Sequence, residues 1–299
     1  AEGQMDLLIR QCIKNLQDEP KIQEMQQVPG IQSTNDIENV VSRIKMFFAE
    51  LKAQNNAVLE QIKADLEEIA GRKITDSDIQ DAIVVYNKSR AARREFVKLA
   101  NEHCDVITPT KRSAVLKAFY FMEKPEYTAK LNELNAELAK LPVCDWKGTK
   151  VVTSGIICDN PKLLSIFEEN NIAIAADDVA HETRSFRVDA PEDELDPVRA
   201  LAKQFANIDY EVLLYDPESN KNRRGEFVAN MVKESGAQGL VLFMQQFCDP
   251  EEMEYPYLKK ALNDAGVPHI KLGIDQQMRD FGQASTAIQA FADVLALQK

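Results

Sequence analysis

The sequence predicts an α/β fold: a parallel-sheet, Rossmann/flavodoxin-like C-terminal domain preceded by a mostly helical region. Three observations carry this. From Lys150 onward, short apolar runs alternate with segments of helical periodicity, the pattern of strands joined by crossover helices. Leu240 to Met244 is continuously apolar, as a strand buried on both faces of a parallel sheet must be. Before Pro142 the apolar residues recur only at helical spacing. The domain boundary is placed in the Pro142–Gly148 linker, giving a helical region over 1–145 and an α/β domain over 146–299.

Taken in order, Met5 to Leu16 reads as a short helix containing Cys12, stopped by Val28-Pro29-Gly30. A long helix follows from about Ile37 to Ala70, with Thr34 or Asn35 as its cap and Gly71 as its C′ residue. Thr75 caps the next helix, with Asp76 and Asp78 at its positive end and Ile79, Ile83, Val84, Phe96, Val97 and Leu99 on its buried side. Arg90, Arg93 and Arg94 form a basic stripe on it that reads as a solvated face, with a phosphate or subunit contact as the other reading. Pro109 ends this stretch, and Ser113–Met122 and Tyr127–Leu141 are two further helices.

In the second half, strands are expected at Val151–Ile157, Ile172–Ala176, Val212–Tyr215, Leu240–Met244 and His269–Ile274. The helices between and after them are Leu163–Asn170, Pro197–Ala206, Arg224–Ser235, Tyr257–Ala265 and Gln283–Leu297. Pro250 and Pro256 argue for a shaped loop after Met244, since each fixes φ and removes a donor. The acidic run Asp249, Glu251, Glu252, Glu254 in that loop reads as a solvated face.

The totals narrow the function. A net charge of −12 gives no broad attraction to nucleic acid or to an anionic membrane. No apolar run approaches the length of a membrane span, and Ala1–Arg10 lacks the layout of a secretory signal. Cys12, Cys104, Cys144, Cys158 and Cys248 are far apart and form no C-x-x-C pair, so a reducing, cytoplasmic setting is expected. The chain starts at Ala1 rather than Met, as a processed, trimmed or partial chain would. There is no G-x-G-x-x-G after the first strand, no G-x-x-x-x-G-K-[ST] and no G-x-S-x-G. Dinucleotide binding, P-loop hydrolysis and nucleophile-elbow chemistry are disfavoured accordingly.

What remains is the set of strand ends. Cys158-Asp159, Asp177-Asp178, Asp216, Cys248-Asp249 and Asp275-Gln276-Gln277 each follow or finish a strand. An open parallel sheet gathers those ends on its carboxyl edge, where ligands bind. Cys248 is the softest ligand there, although it also reads as a small apolar residue closing a strand. Arg184 and Arg187 lie close to Asp177 and Asp178 in sequence and read as buried ion pairs that fix the loop, with the positioning of an anion as the other reading. His103 at a helix end and His269 at a strand start read as structural.

Three segments carry a family resemblance. They are Ala175–Arg187 (AADDVAHETRSFR), Gln246–Lys260 (QFCDPEEMEYPYLKK) and Gly282–Phe291 (GQASTAIQAF). Together they resemble the 2-hydroxyacyl-CoA dehydratases, which are related to the benzoyl-CoA reductase subunits. The aspartate-arginine loop is most similar to the smaller, second (β) subunit of the heterodimer, as in the 2-hydroxyisocaproyl-CoA enzyme. The resemblance covers about residues 55–299. It implies a lyase in which each subunit holds a [4Fe-4S] cluster through three cysteines. It also implies an ATP-dependent iron-sulfur activator protein that injects one electron. By the same resemblance the bound 2-hydroxyacyl-CoA would become a ketyl radical, lose hydroxide and then a proton, give the electron back for recycling, and leave as a 2-enoyl-CoA. The implied partners are the larger homologous subunit, the activator and the acyl-CoA.

By that resemblance Cys248 matches the third cluster cysteine, in its F-C-D-P setting, and Cys12 is aligned with the second. The first has no counterpart, much of the family's N-terminal domain is not found, and Ala287 stands where the family carries Arg. The alternative reading is a cluster-free homologue acting as an interaction or acyl-CoA-binding protein.

Overall fold

The computed structural model describes residues 56–208, 223–275 and 277–297, which belong to one compact unit over 54–299. A helical segment at 56–70 ends at Gly71, whose φ of +65° is the left-handed conformation a C′ residue adopts. The earlier part of the expected long helix, the Met5–Leu16 helix with Cys12, and the Val212–Tyr215 strand with Asp216 lie outside the described residues.

Helix α1 (Asp76–Glu102) starts where Thr75 and Asp78 cap each other reciprocally: the Asp78 N–H donates to Thr75 Oγ1 at 3.2 Å and the Thr75 N–H to Asp78 Oδ2 at 2.8 Å. Helices α2 (Pro109–Ala118) and α3 (Lys124–Leu138) pack on it around Phe96, Leu99, Leu116, Phe119, Tyr127 and Leu131. Pro109 begins α2 rather than ending a region. It sits in the first turn, where its missing N–H is no loss, behind a Thr108 cap. Arg90 and Arg93 are buried and do not form a solvated face. The Arg93 guanidinium lies over the Phe119 ring at 3.7 Å and the Phe186 ring at 4.6 Å, so aromatic faces replace its hydration.

The sheet contains strands β1 (Thr149–Gly155), β2 (Ile172–Val179), β3 (Gly239–Gln245) and β4 (His269–Ile274). Their order is β2-β1-β3-β4, and every pairing is parallel. Period-two alternation sends neighbouring residues to opposite faces. Val151, Val241 and Phe243 pack under α4 (Pro161–Glu169) and α9 (Gly282–Ala296), whereas Val152, Leu240 and Leu242 pack under α7 (Arg224–Glu234) and α8 (Asp249–Asp264). Both faces of the central strands are therefore covered, which is why they read as unbroken apolar runs. After β2 come a short helix α5 (Thr183–Phe186) and α6 (Pro197–Ala206), the latter capped by the Asp196 carboxylate.

Two expectations about the carboxyl edge change. Asp177 and Asp178 lie inside β2, which continues to Val179 and pairs Thr153 with Asp177 and Ser154 with Asp178. The segment after β3 is helical from Asp249, not a loop up to Tyr257. Pro250 occupies the first turn, where proline is tolerated, and Pro256 lies inside the helix, where it forgoes one backbone hydrogen bond. No helix among the described residues is long and apolar enough to cross a membrane.

Candidate functional site

The carboxyl edge is built around a close approach. Gly155 ends β1 with φ +144°, and a Cβ there would meet the Phe243 carbonyl oxygen at 2.4 Å. Only glycine allows β1 and β3 to lie this close. Its carbonyl accepts from Arg184 Nη2 at 2.7 Å and from the Ala180 N–H at 2.9 Å, which ties the chain leaving β2 to the end of β1.

Beside this point lies a buried charge network. Arg112, on α2, donates to Asp177 and to Glu182. Arg224, at the start of α7, donates to Asp178 Oδ2 at 2.9 Å, to Ser154 Oγ at 2.8 Å and to Glu254. Arg187 donates to Asp178 Oδ1 at 2.6 Å. Arg184 and Arg224 approach Glu251 at 3.8 and 3.7 Å. Four guanidinium groups thus face five carboxyls across β1, β2, α2, α5, α7 and α8. For Asp178, burial alone would raise the carboxyl pKa, but Arg224, Arg184 and Arg187 outweigh it and hold the group below the usual range. For Glu251 burial wins and the pKa is raised. Neither Glu251 oxygen accepts a hydrogen bond from any described residue.

The ion pairs expected of Arg184 and Arg187 are therefore present, and both converge on Asp178, with Arg184 at 3.9 Å. Arg112, Arg224, Glu251 and Glu254 were not found from sequence. The acidic run is not a solvated face throughout: Glu251 and Glu254 are buried on α8, three residues apart and so on one helical face. That spacing was the available signal.

Cys248 is the N-cap residue of α8, with a free, half-buried thiol. Its N–H donates to the Gln245 carbonyl at 3.2 Å, and its own carbonyl accepts from the Glu252 N–H at 3.0 Å. Phe247 before it adopts φ +64° with its side chain 90% exposed. A left-handed aromatic residue costs about 1–2 kcal/mol, and here it turns the chain so that Cys248 heads the helix.

Residues 28–295 match the family described as 2-hydroxyglutaryl-CoA dehydratase, D-component. The chain belongs to this 2-hydroxyglutaryl-CoA dehydratase D-component family. It is 57% identical over 258 residues to the β subunit of (R)-2-hydroxyglutaryl-CoA dehydratase from Acidaminococcus fermentans, covering 84% of this chain and 68% of that protein. It is 44% identical to the β subunit of (R)-phenyllactyl-CoA dehydratase from Clostridium sporogenes, over 82% of this chain and 63% of that one. It is 39% identical to the β subunit of lactoyl-CoA dehydratase from Anaerotignum propionicum, over 79% and 62%. The chain thus spans 62 to 68% of the length of these relatives.

For a dehydratase-family chain the expected [4Fe-4S] cluster can be tested against the donor set. Cys248 suits a thiolate ligand: it is reachable, held by backbone on both sides, and placed at a helix N-terminus, where negative charge is favoured. No group of three His, Cys, Asp or Glu side chains that could hold a metal occurs among the described residues. The described residues therefore do not form a cluster cage by themselves. Cys12 lies outside them. Cys158 ends up buried in the apolar core beside α4, its thiol pushed well up by burial, and is no substitute ligand. Asp159 pairs with Lys117, and Asp275 accepts from the Gln277 N–H at 2.7 Å, so both serve local structure. His103 is the buried C-cap of α1, and His269 Nδ1 lies 3.0 Å from the Val267 carbonyl.

Proposed function

We propose that this chain is the β subunit of an (R)-2-hydroxyacyl-CoA dehydratase, the half of a heterodimer that passes an electron for the radical elimination of water to a 2-enoyl-CoA. The observation that supports this most is the position of Cys248, a reachable thiol at a helix N-terminus on the carboxyl edge of a family-matched sheet. Cys248 and Cys12 would hold a [4Fe-4S] cluster with further ligands from outside the described residues, and the cluster would supply one-electron chemistry when bound. The chain's own contribution is placement. Gly155 lets the strands close, the Arg–carboxylate network fixes the loop after β2 against α7 and α8, and α8 presents Cys248 at its end. The larger homologous subunit would supply most contacts to the acyl-CoA, and an ATP-dependent activator would deliver the electron.

The test is anaerobic co-expression with the larger subunit. Mixing the pair with the activator, ATP and (R)-2-hydroxyglutaryl-CoA, (R)-phenyllactyl-CoA or lactoyl-CoA is expected to release a 2-enoyl-CoA from at least one of them. If the pair associates and none reacts while a relative's β subunit restores turnover, the dehydratase reading fails and a cluster-free interaction role replaces it.

A further inference from the structure

Two further cysteines lie near the start of β1, away from Cys248. Cys104 follows the C-terminus of α1, and Cys144 lies in the linker that leads into β1. The Cys144 N–H donates to the Glu102 carbonyl at 2.8 Å, which pins the linker two residues from Cys104. The two thiols are near enough that each influences the other's titration. Both are free. Cys104 is buried in the protein, whereas Cys144 is half-buried and lines a surface pocket of about 530 Å³ together with Asp145, Trp146, Lys147, Lys150 and Gln238; Lys147 pairs there with Asp145, and Lys150 donates to Asn101. One thiol is reachable from solvent through this pocket, and the second waits behind it.

We propose that Cys104 and Cys144 form a dithiol modification site that a small organic disulfide oxidises to an internal disulfide bond. The Cys144 thiolate attacks one sulfur of the incoming disulfide, forming a mixed disulfide and releasing one small thiolate. The Cys104 thiolate then attacks the Cys144 sulfur and releases the other. Two protein thiols are oxidised, one disulfide is reduced to two thiols, and the two protein protons pass to the departing thiolates. Burial pushes the Cys104 thiol up to about 11, and loss of hydration followed by Asp105 raises that of Cys144. Exchange is therefore slow at neutral pH and accelerates about tenfold per pH unit below the thiol pKa. The same absence of thiolate stabilisation favours the disulfide once it forms, because low-pKa dithiols make the oxidising pairs. The bond would close a loop holding α2 and α3, which restricts the unfolded chain and raises the thermal midpoint. This site does not depend on the dehydratase reading.

The experiment uses the full chain, purified anaerobically, reduced, and exposed to oxidised glutathione at pH 8. It is then acid-quenched, alkylated, digested and mapped by mass. The expected product is a peptide pair linked Cys104 to Cys144 and separated again by a reductant. In C104S the Cys144 glutathione adduct is expected to accumulate instead. The mapping on the unsubstituted chain stands whether or not C104S folds. A stable Cys144 adduct in the unsubstituted chain with Cys104 still alkylatable would overturn the proposal, as would modification of Cys248 with neither of the pair touched.

Discussion

Arg224 has almost no contact with solvent and donates to Asp178, Glu254 and Ser154 at once. Removing one member of such a group strands the others, which costs about 3–5 kcal/mol. Arg224→Ala is therefore expected to lower the thermal midpoint by many degrees, and Arg224→Lys to restore little, since an ammonium cannot span three acceptors. Denaturant melts of the two variants check this. Glu251 behaves in the opposite way. Its raised folded pKa means that stability present below the unfolded value is lost as pH rises through the folded value. Glu251→Gln should therefore stabilise the chain at pH 7 to 8 and lose that advantage as pH falls below about 4.5. Asp178, held low, contributes stability above its unfolded pKa that disappears on acidification through the folded one. A Glu251→Gln protein that melts lower than the parent at neutral pH would contradict this assignment.

Among the elements, α1 begins at a reciprocal cap, and Thr75→Ala is expected to cost about 1 kcal/mol without touching the carboxyl edge. Gly155→Ala should be far worse: the φ alone costs about 1–3 kcal/mol, and the new methyl would meet Phe243. Comparing the two melts separates a local cap from a strand junction. Element identity was legible wherever one physical signal dominated. His269–Ile274 and Pro197–Ala206 have the bounds their turn residues and caps imply, and Thr75 is the cap its position suggests. The signal failed where two rules competed. Pro250 and Pro256 read as loop residues, yet one is a first-turn proline and the other is carried by a helix whose Leu258 and Leu262 are buried on β3. Arg93 read as solvated because charge normally is, and no spacing rule announces Phe119 and Phe186 closing over it.

For the whole molecule, the parallel sheet with helices on both faces was legible because burial on two sides leaves continuous apolar strands. The site was half legible. Strand ends pointed to the carboxyl edge, and the Asp-Arg loop pointed to ion pairs. Arg112 and Arg224 come from helices distant in sequence, and only the fold brings them to Asp177 and Asp178. The account as a whole depends on Cys248 as a ligand of iron. Its thiol is half-buried, and no cap hydrogen bond of its side chain holds α8, so Cys248→Ala should leave the folding stability of the cluster-free chain within about 1 kcal/mol of the parent. The most direct measurement is iron and acid-labile sulfide per chain in anaerobically purified protein, with and without Cys248→Ala. The account predicts iron and sulfide in the parent and their loss from a variant that is still folded. Equal iron in both, or none in either, would contradict it.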